Sequence, residues 1–235
     1  MLKSLEMRLY KIRGGSEESL LQKHYNIGVG ISLGNKWFSA ENIVGLVEWS
    51  LEHTKDFVVV YVADSIHAIN IEVRNRKSPE KARETAMRLG DEMLEEVKVL
   101  AKSKLTPDQF SKLHFAKWDE LFTPAFQEKL DFLNKKYDTD SEFKRAIVEL
   151  VDGFTSNENR VFSDEDKVKL GSYVIAEFPE ILGRTPINGL VFDAYAYPYD
   201  GKLPELVENI QKGELFPDVR DKVIDTGPKV MLVVR

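Results

Sequence analysis

Short apolar runs of strand length alternate with longer amphipathic segments along the chain, the pattern that builds a parallel sheet covered by helices. The runs at residues 7–12, 25–31, 57–62, 113–116, 189–193 and 229–234 are read as strands. Within 57–62 the sequence FVVVYV is apolar on both faces, which suits a central strand buried on both sides. Three helix starts are well marked. Ser39 precedes AENIVGLVEWSLEH with Asn42 at the third helical position; Ser78 is followed by Pro79 and Glu80 before a run reaching about residue 102. Ser163 precedes DEDKVKLGSYVIAEFPEIL, whose acidic first turn complements the helix dipole. A further helical stretch over 124–154 is expected to break near 137–141. With no internal repeat and no interdomain linker, the simplest account is a single α/β domain spanning residues 1–235.

Composition narrows the chemistry more than the fold. The 235 residues hold 33 Lys+Arg against 39 Asp+Glu, a mild net charge of −6 that taken as a whole argues against a general nucleic-acid binder. Cysteine is absent, which removes disulfides, thiolate metal sites and cysteine nucleophiles. No apolar run approaches a membrane span and the start lacks the apolar stretch of a signal peptide, so the cytoplasm is the expected compartment.

Two segments carry candidate chemistry. In NIGVGISLGNKWFS, glycines at 28, 30 and 34 allow tight turning and close backbone approach, so Ser32 can project at the carboxyl end of a strand, where open α/β sheets place their ligands. Gly30, Ser32 and Gly34 also spell the G-x-S-x-G of a serine hydrolase, but that fold needs a late histidine. The histidines here are His24, His53, His67 and His114, all in the first half. In SYVIAEFPEILG, Tyr173, Glu177 and Glu180 are spaced to share one helix face amid apolar residues, and Pro179 removes a backbone donor and should bend the helix. A glutamate in such company either reaches solvent or lines a pocket. Beside a phenol it is suited to gripping a substrate ammonium.

The serine segment, DFVVVYV, SYVIAEFPEIL and the late Tyr197–Pro198 together resemble the tRNA-dependent cyclodipeptide synthases, in order and separation over roughly residues 25–234. The resemblance implies a Rossmann-like domain with a mostly parallel sheet, similar to the catalytic domain of class I tyrosyl- and tryptophanyl-tRNA synthetases. Such an enzyme takes two charged tRNAs in turn and uses no ATP, cofactor or metal, and the sequence has neither the HIGH nor the KMSKS type of signature. Ser32 would be the nucleophile that holds the first amino acid as an ester, and Tyr173 and Glu177 would hold its α-ammonium. A second aminoacyl-tRNA would yield a dipeptidyl-enzyme, which closes to a diketopiperazine.

The family divides on an asparagine three after the serine, paired with tyrosine-histidine, or its absence, paired with tyrosine-proline; Asn35 and Tyr197–Pro198 mix the two. Of Tyr195, Tyr197 and Tyr199, Tyr197 is preferred as the functional one, and Phe126 stands where the family has a further tyrosine. The resemblance places Gly30, Val60 and Glu180 in the pocket for the first side chain, and a carboxylate there would favour a polar or basic guest such as histidine or arginine.

For tRNA, residues 74–88 hold Arg74, Arg76, Lys77, Lys81, Arg83 and Arg88 against Glu80 and Glu84. Lys81 and Arg88 fall on one helical stripe, with Lys77 just before the cap, a surface for phosphates. The DEMLEE that follows is acidic. A monomer is expected. A serine esterase built on Ser32, or a non-catalytic Rossmann-like tRNA-binding module, are the competing readings.

Overall fold

The computed structural model describes residues 7–156 and 158–235. Along the chain it forms β1 (Leu9–Arg13), α1 (Glu17–Leu21), β2 (Ile27–Ile31), α2 (Ala40–His53), β3 (Val58–Val62), α3 (Asp64–Asn75), α4 (Pro79–Lys104), α5 (Pro107–Phe110) and β4 (Leu113–Lys117). A 3-10 turn (Trp118–Leu121) leads to α6 (Pro124–Thr139), α7 (Ser141–Thr155), α8 (Asp164–Leu182), β5 (Ala194–Tyr197), α9 (Lys202–Lys212), α10 (Pro217–Val223) and β6 (Val230–Val234).

The helix starts follow their capping chemistry. Ser39 accepts from the Asn42 amide, Ser163 and Asp166 form a reciprocal capping box, and Asp140 both ends α6 and caps α7, which is the expected break. α8 runs on through Pro179 to Leu182. No helix among the described residues is long and apolar enough to cross a membrane.

The sheet has the order β1-β6-β5-β2-β3-β4, with β1 antiparallel to β6 and every other pairing parallel. The chain leaves β2 toward β3 and β4 on one side, and later returns to lay β5 and β6 on the other. The order therefore reverses between β2 and β5, which makes the crevice beyond their carboxyl ends the natural ligand site of this Rossmann-like α/β fold.

Alternation divides the strands between two faces. Ile27, Val29, Ile31, Val58, Val60, Val62, Ala194, Ala196, Val230 and Leu232 turn to a dry core beneath α2 and α4. Val59, Tyr61, Tyr195 and Met231 turn to the opposite face, against α8 and its neighbours.

The strand expected at 189–193 lies instead at Ala194–Tyr197. Asn188 and Gly189 take positive φ in a turn closed by the Ile187–Leu190 bridge, so the apolar residues after it form a loop. Phe192 in that loop is wholly buried and occupies the space a side chain at Gly28 would need, where a Cβ would stand 2.4 Å from the ring. α3 was not anticipated from the pattern; it carries His67 and Arg74.

Candidate active site

Ser32 follows β2 directly and Tyr197 ends β5, so the reversal of strand order brings the two together. α8 supplies the third side, with Tyr173 and Glu177 one turn apart. The Ser32 hydroxyl lies beside both the Tyr173 and the Tyr197 phenols, and Tyr173 lies beside Glu177. The four residues singled out from the sequence thus converge at one place.

The loop after Ser32 is held by short polar contacts. Gly34 takes φ +78, a conformation that favours glycine, and the His67 ring packs against it, 3.1 Å from where a Cβ would lie. Asn35 Oδ1 accepts from the Trp37 amide and from the Tyr199 hydroxyl, both at 3.0 Å. Asn35 therefore fixes the loop and ties it to the segment after β5. The tyrosines at 195, 197 and 199 follow one another, the first two rings stacked and the third tilted, with centroids 5.3 and 5.7 Å apart. Tyr195 faces Gly30, Tyr197 faces Ser32, and Tyr199 reaches Asn35.

The electrostatics are those of a partly dry site. Burial pushes Glu177 up to about 8; hydrogen bonding from Tyr173 opposes the rise and the nearby Glu180 adds to it. Burial, reinforced by Glu177, holds the Tyr173 phenol well above its ordinary range, and burial beside Glu177 does the same for Tyr197. Burial lowers His67 to about 4, keeping its imidazole neutral. Near neutral pH the free site therefore holds neutral hydroxyls and a carboxyl poised to lose its proton or to pair with a cation.

Glu180 does not turn to solvent. It is 1% exposed and bonded at 2.5 Å to Nζ of Lys229, itself 0% exposed, whose ammonium lies 3.8 Å from the centroid of Phe192. The carboxylate expected to attract a basic guest is thus already neutralised from within. Val60 is a clearer correction. It points into the core under α2, and its neighbour Tyr61 occupies the site face. The run FVVVYV is apolar throughout, so its register could not be read from the pattern, and a one-residue shift exchanges the faces. Gly30 pairs with Tyr61 across the β2–β3 ladder, and a Cβ there would meet Tyr195 Oη at 2.9 Å and Tyr61 Oη at 3.1 Å. The missing side chain makes room for two phenols of the protein itself. Phe126 is buried in the same cluster.

The basic strip is more compensated than its sequence suggests. Arg74 pairs with Glu158 at 2.7 Å and Arg76 with Asp166 at 2.6 Å, both carboxylates lying beyond α7. Arg83 pairs with Asp119 and Arg88 with Glu92, while Lys77 donates to Thr85. The exposed Lys81 keeps its ammonium unpartnered among the described residues.

Residues 14–215 match the family model described as cyclodipeptide synthase. The chain is 24% identical over 207 residues to cyclo(L-leucyl-L-phenylalanyl) synthase of Streptomyces noursei, covering 86% of this chain and 85% of that one. Its fold is similar to a Mycobacterium tuberculosis protein whose structure relates cyclodipeptide synthetases to type I tRNA synthetases (TM-score 0.68, 19% identity, 97% and 91% of the two chains). It is also similar to a cyclodipeptide synthase from Candidatus Glomeribacter gigasporarum solved bound to Phe-tRNAPhe (TM-score 0.54, 16% identity, 88% and 86% covered). With a family model spanning most of its length and the switch-point crevice furnished with a serine, two phenols and a carboxyl, the chain belongs to the cyclodipeptide synthase family, tRNA-dependent aminoacyltransferases.

Proposed function

We propose that the protein condenses the amino acids of two aminoacyl-tRNAs into a cyclic dipeptide by way of esters on Ser32. The observation that carries this reading is the convergence of Ser32, Tyr173, Tyr197 and Glu177 at the carboxyl ends of β2 and β5. In the first step Ser32 Oγ bonds to the ester carbonyl, the bond from that carbonyl to the ribose oxygen breaks, and the serine proton ends on the departing ribose hydroxyl. Glu177 and Tyr173 grip the α-ammonium; an adjacent cation favours the carboxylate, so substrate lowers the raised pKa of Glu177.

In the second step the amine of the seryl-held residue, having given up its proton, attacks the ester of the second aminoacyl-tRNA. That tRNA leaves and a dipeptidyl ester remains on Ser32. The terminal amine of the dipeptide then attacks the seryl ester, forming the second amide and returning the hydroxyl to Ser32. Each step turns an ester into an ester or an amide, so no ATP is required, and the last is helped by a nucleophile tethered beside its target.

The enzyme acts as a cytoplasmic, single-domain monomer that needs no cofactor or metal. tRNA phosphates meet Lys77, Lys81, Arg83 and Arg88, the last two exchanging Asp119 and Glu92 for phosphate. The first residue is not selected by charge, because Glu180 is paired with Lys229.

Expression in a bacterium, with the medium searched by mass spectrometry, tests the proposal. Cyclic dipeptides are expected from the parent chain and none from Ser32→Ala. Soluble protein without any such product defeats it. Turnover of a chromogenic ester in place of product would point to an esterase, and binding of tRNA without product to a non-catalytic module.

A further inference from the structure

We infer that Tyr61 selects a first amino acid whose side chain is uncharged and carries a hydrogen-bond acceptor, such as a hydroxyl, carboxamide or neutral imidazole; this rests on the proposed seryl ester at Ser32. Tyr61 is 2% exposed, and its Oη lies near the Glu180 carboxylate, whose Oε1 is taken by Lys229, yet has no hydrogen-bond partner within 3.5 Å among the described residues. Buried hydroxyls are nearly always satisfied, so an orphan calls for an occupant that the free protein lacks.

The hydroxyl has a definite address. It stands 3.1 Å from where a Cβ on Gly30 would lie, beside Tyr195 Oη, and Gly30 precedes Ser32 by two residues on the same side of β2. A side chain held on Ser32 and turned back along β2 therefore meets the paired phenols of Tyr195 and Tyr61. A second donor lies in the same cluster: Trp118 is 1% exposed, its Nε1 is likewise unpartnered, and its ring centroid is 6.3 Å from that of Tyr61. An indole N–H only donates, so the pair calls for an acceptor on the guest.

Charge is decided by the neighbours. Glu180 and Lys229 cancel each other, which leaves no net charge to draw an ionic guest. Burial beside Glu180 keeps Tyr61 in its neutral phenol form, able to donate. A site that hydrogen-bonds a polar group discriminates strongly against the analogue lacking it, because its own buried groups then stay unpaired.

The test offers the purified protein paired aminoacyl-tRNAs that differ in one polar group: tyrosine against phenylalanine, threonine against valine, asparagine against leucine. Intact-protein mass spectrometry then reads which amino acid resides on Ser32. The parent chain should favour the polar member of at least one pair by about tenfold or more, and Tyr61→Phe should erase that preference while raising the melting temperature, since it deletes an unsatisfied buried oxygen. Equal or apolar-favoured loading by the parent chain, or a preference that survives in Tyr61→Phe, overturns the inference and leaves the proposed reaction standing. No adduct from any aminoacyl-tRNA sinks the reaction, and this assignment with it. Should Tyr61→Phe not fold, Trp118→Phe supplies the same comparison through the second donor.

Discussion

β2, β3 and β5 give their alternate residues to two very different environments. The face under α2 and α4 is filled from them mainly by aliphatic side chains, among them Val29, Val58, Val60 and Ala196, which are closed to water. A single residue away along the same strands, the face under α8 meets Tyr61, Tyr195, Glu177 and the Glu180–Lys229 pair. The first face is built for packing, and its chemistry is interchangeable so long as volume is kept. The second keeps ionisable and unsatisfied groups out of water, which costs stability and pays for reactivity.

Breaking the buried ion pair should give the largest effect. Lys229→Met alone leaves Glu180 unpaired and is expected to cost about 3–5 kcal/mol in denaturant unfolding, whereas Lys229→Met with Glu180→Leu should recover most of that loss. If the single and double variants are equally unstable, the pair is not what the charges are for. On the dry face, Val60→Ala should cost roughly 1.5–3 kcal/mol and leave the identity of the amino acid on Ser32 unchanged, because its side chain points away from the site. A changed product would restore Val60 to the pocket.

Glu177→Gln sharpens the contrast through pH. A carboxyl whose pKa is about 8 in the fold, against an ordinary 4.5, binds its proton more tightly when folded. Its contribution is favourable at low pH and is lost as pH rises from the lower value through the higher. The variant should therefore melt a few degrees above the parent at pH 8.5, with the difference vanishing near pH 4, and should make little or no product. A variant that melts lower at both values contradicts the raised pKa. For the parent, kcat/KM should rise through about pH 8 as the free carboxyl ionises. The smallest change belongs to Lys81→Gln, which should reduce the salt dependence of tRNA binding by about 0.7–0.9 in logarithmic slope if the lysine meets a phosphate; an unaltered slope removes it from the tRNA face.

Much of the scaffold was legible because it rests on local signals. Ser39, Ser163 and Asp140 cap helices through neighbours three residues away or fewer, and β2 and β3 are apolar runs of the right length. What was not legible depends on partners distant in sequence. Lys229 lies 49 residues from Glu180, so nothing near Glu180 announced that its charge was taken. The arginines at 74 and 76 are answered by Glu158 and Asp166, invisible in any window that makes the strip look basic. The tyrosines misled in another way. AYAY fell outside the expected strand because the apolar run before it seemed the better one, yet the alternation of small and aromatic residues is what lets Ala194 and Ala196 pack while Tyr195 and Tyr197 line up with Gly30 and Ser32.

The enclosed indole of Trp118 has an optical consequence. Two of the three tryptophans border the site: Trp118 against Tyr61, and Trp37 within the loop that follows Ser32, edge-on to Phe38. Indole emission responds to the polarity of its surroundings and to contact with a hydrogen-bond acceptor. A guest that reaches Tyr61 should thus alter the intrinsic fluorescence, allowing each arrival and departure of an amino acid on Ser32 to be timed without a label.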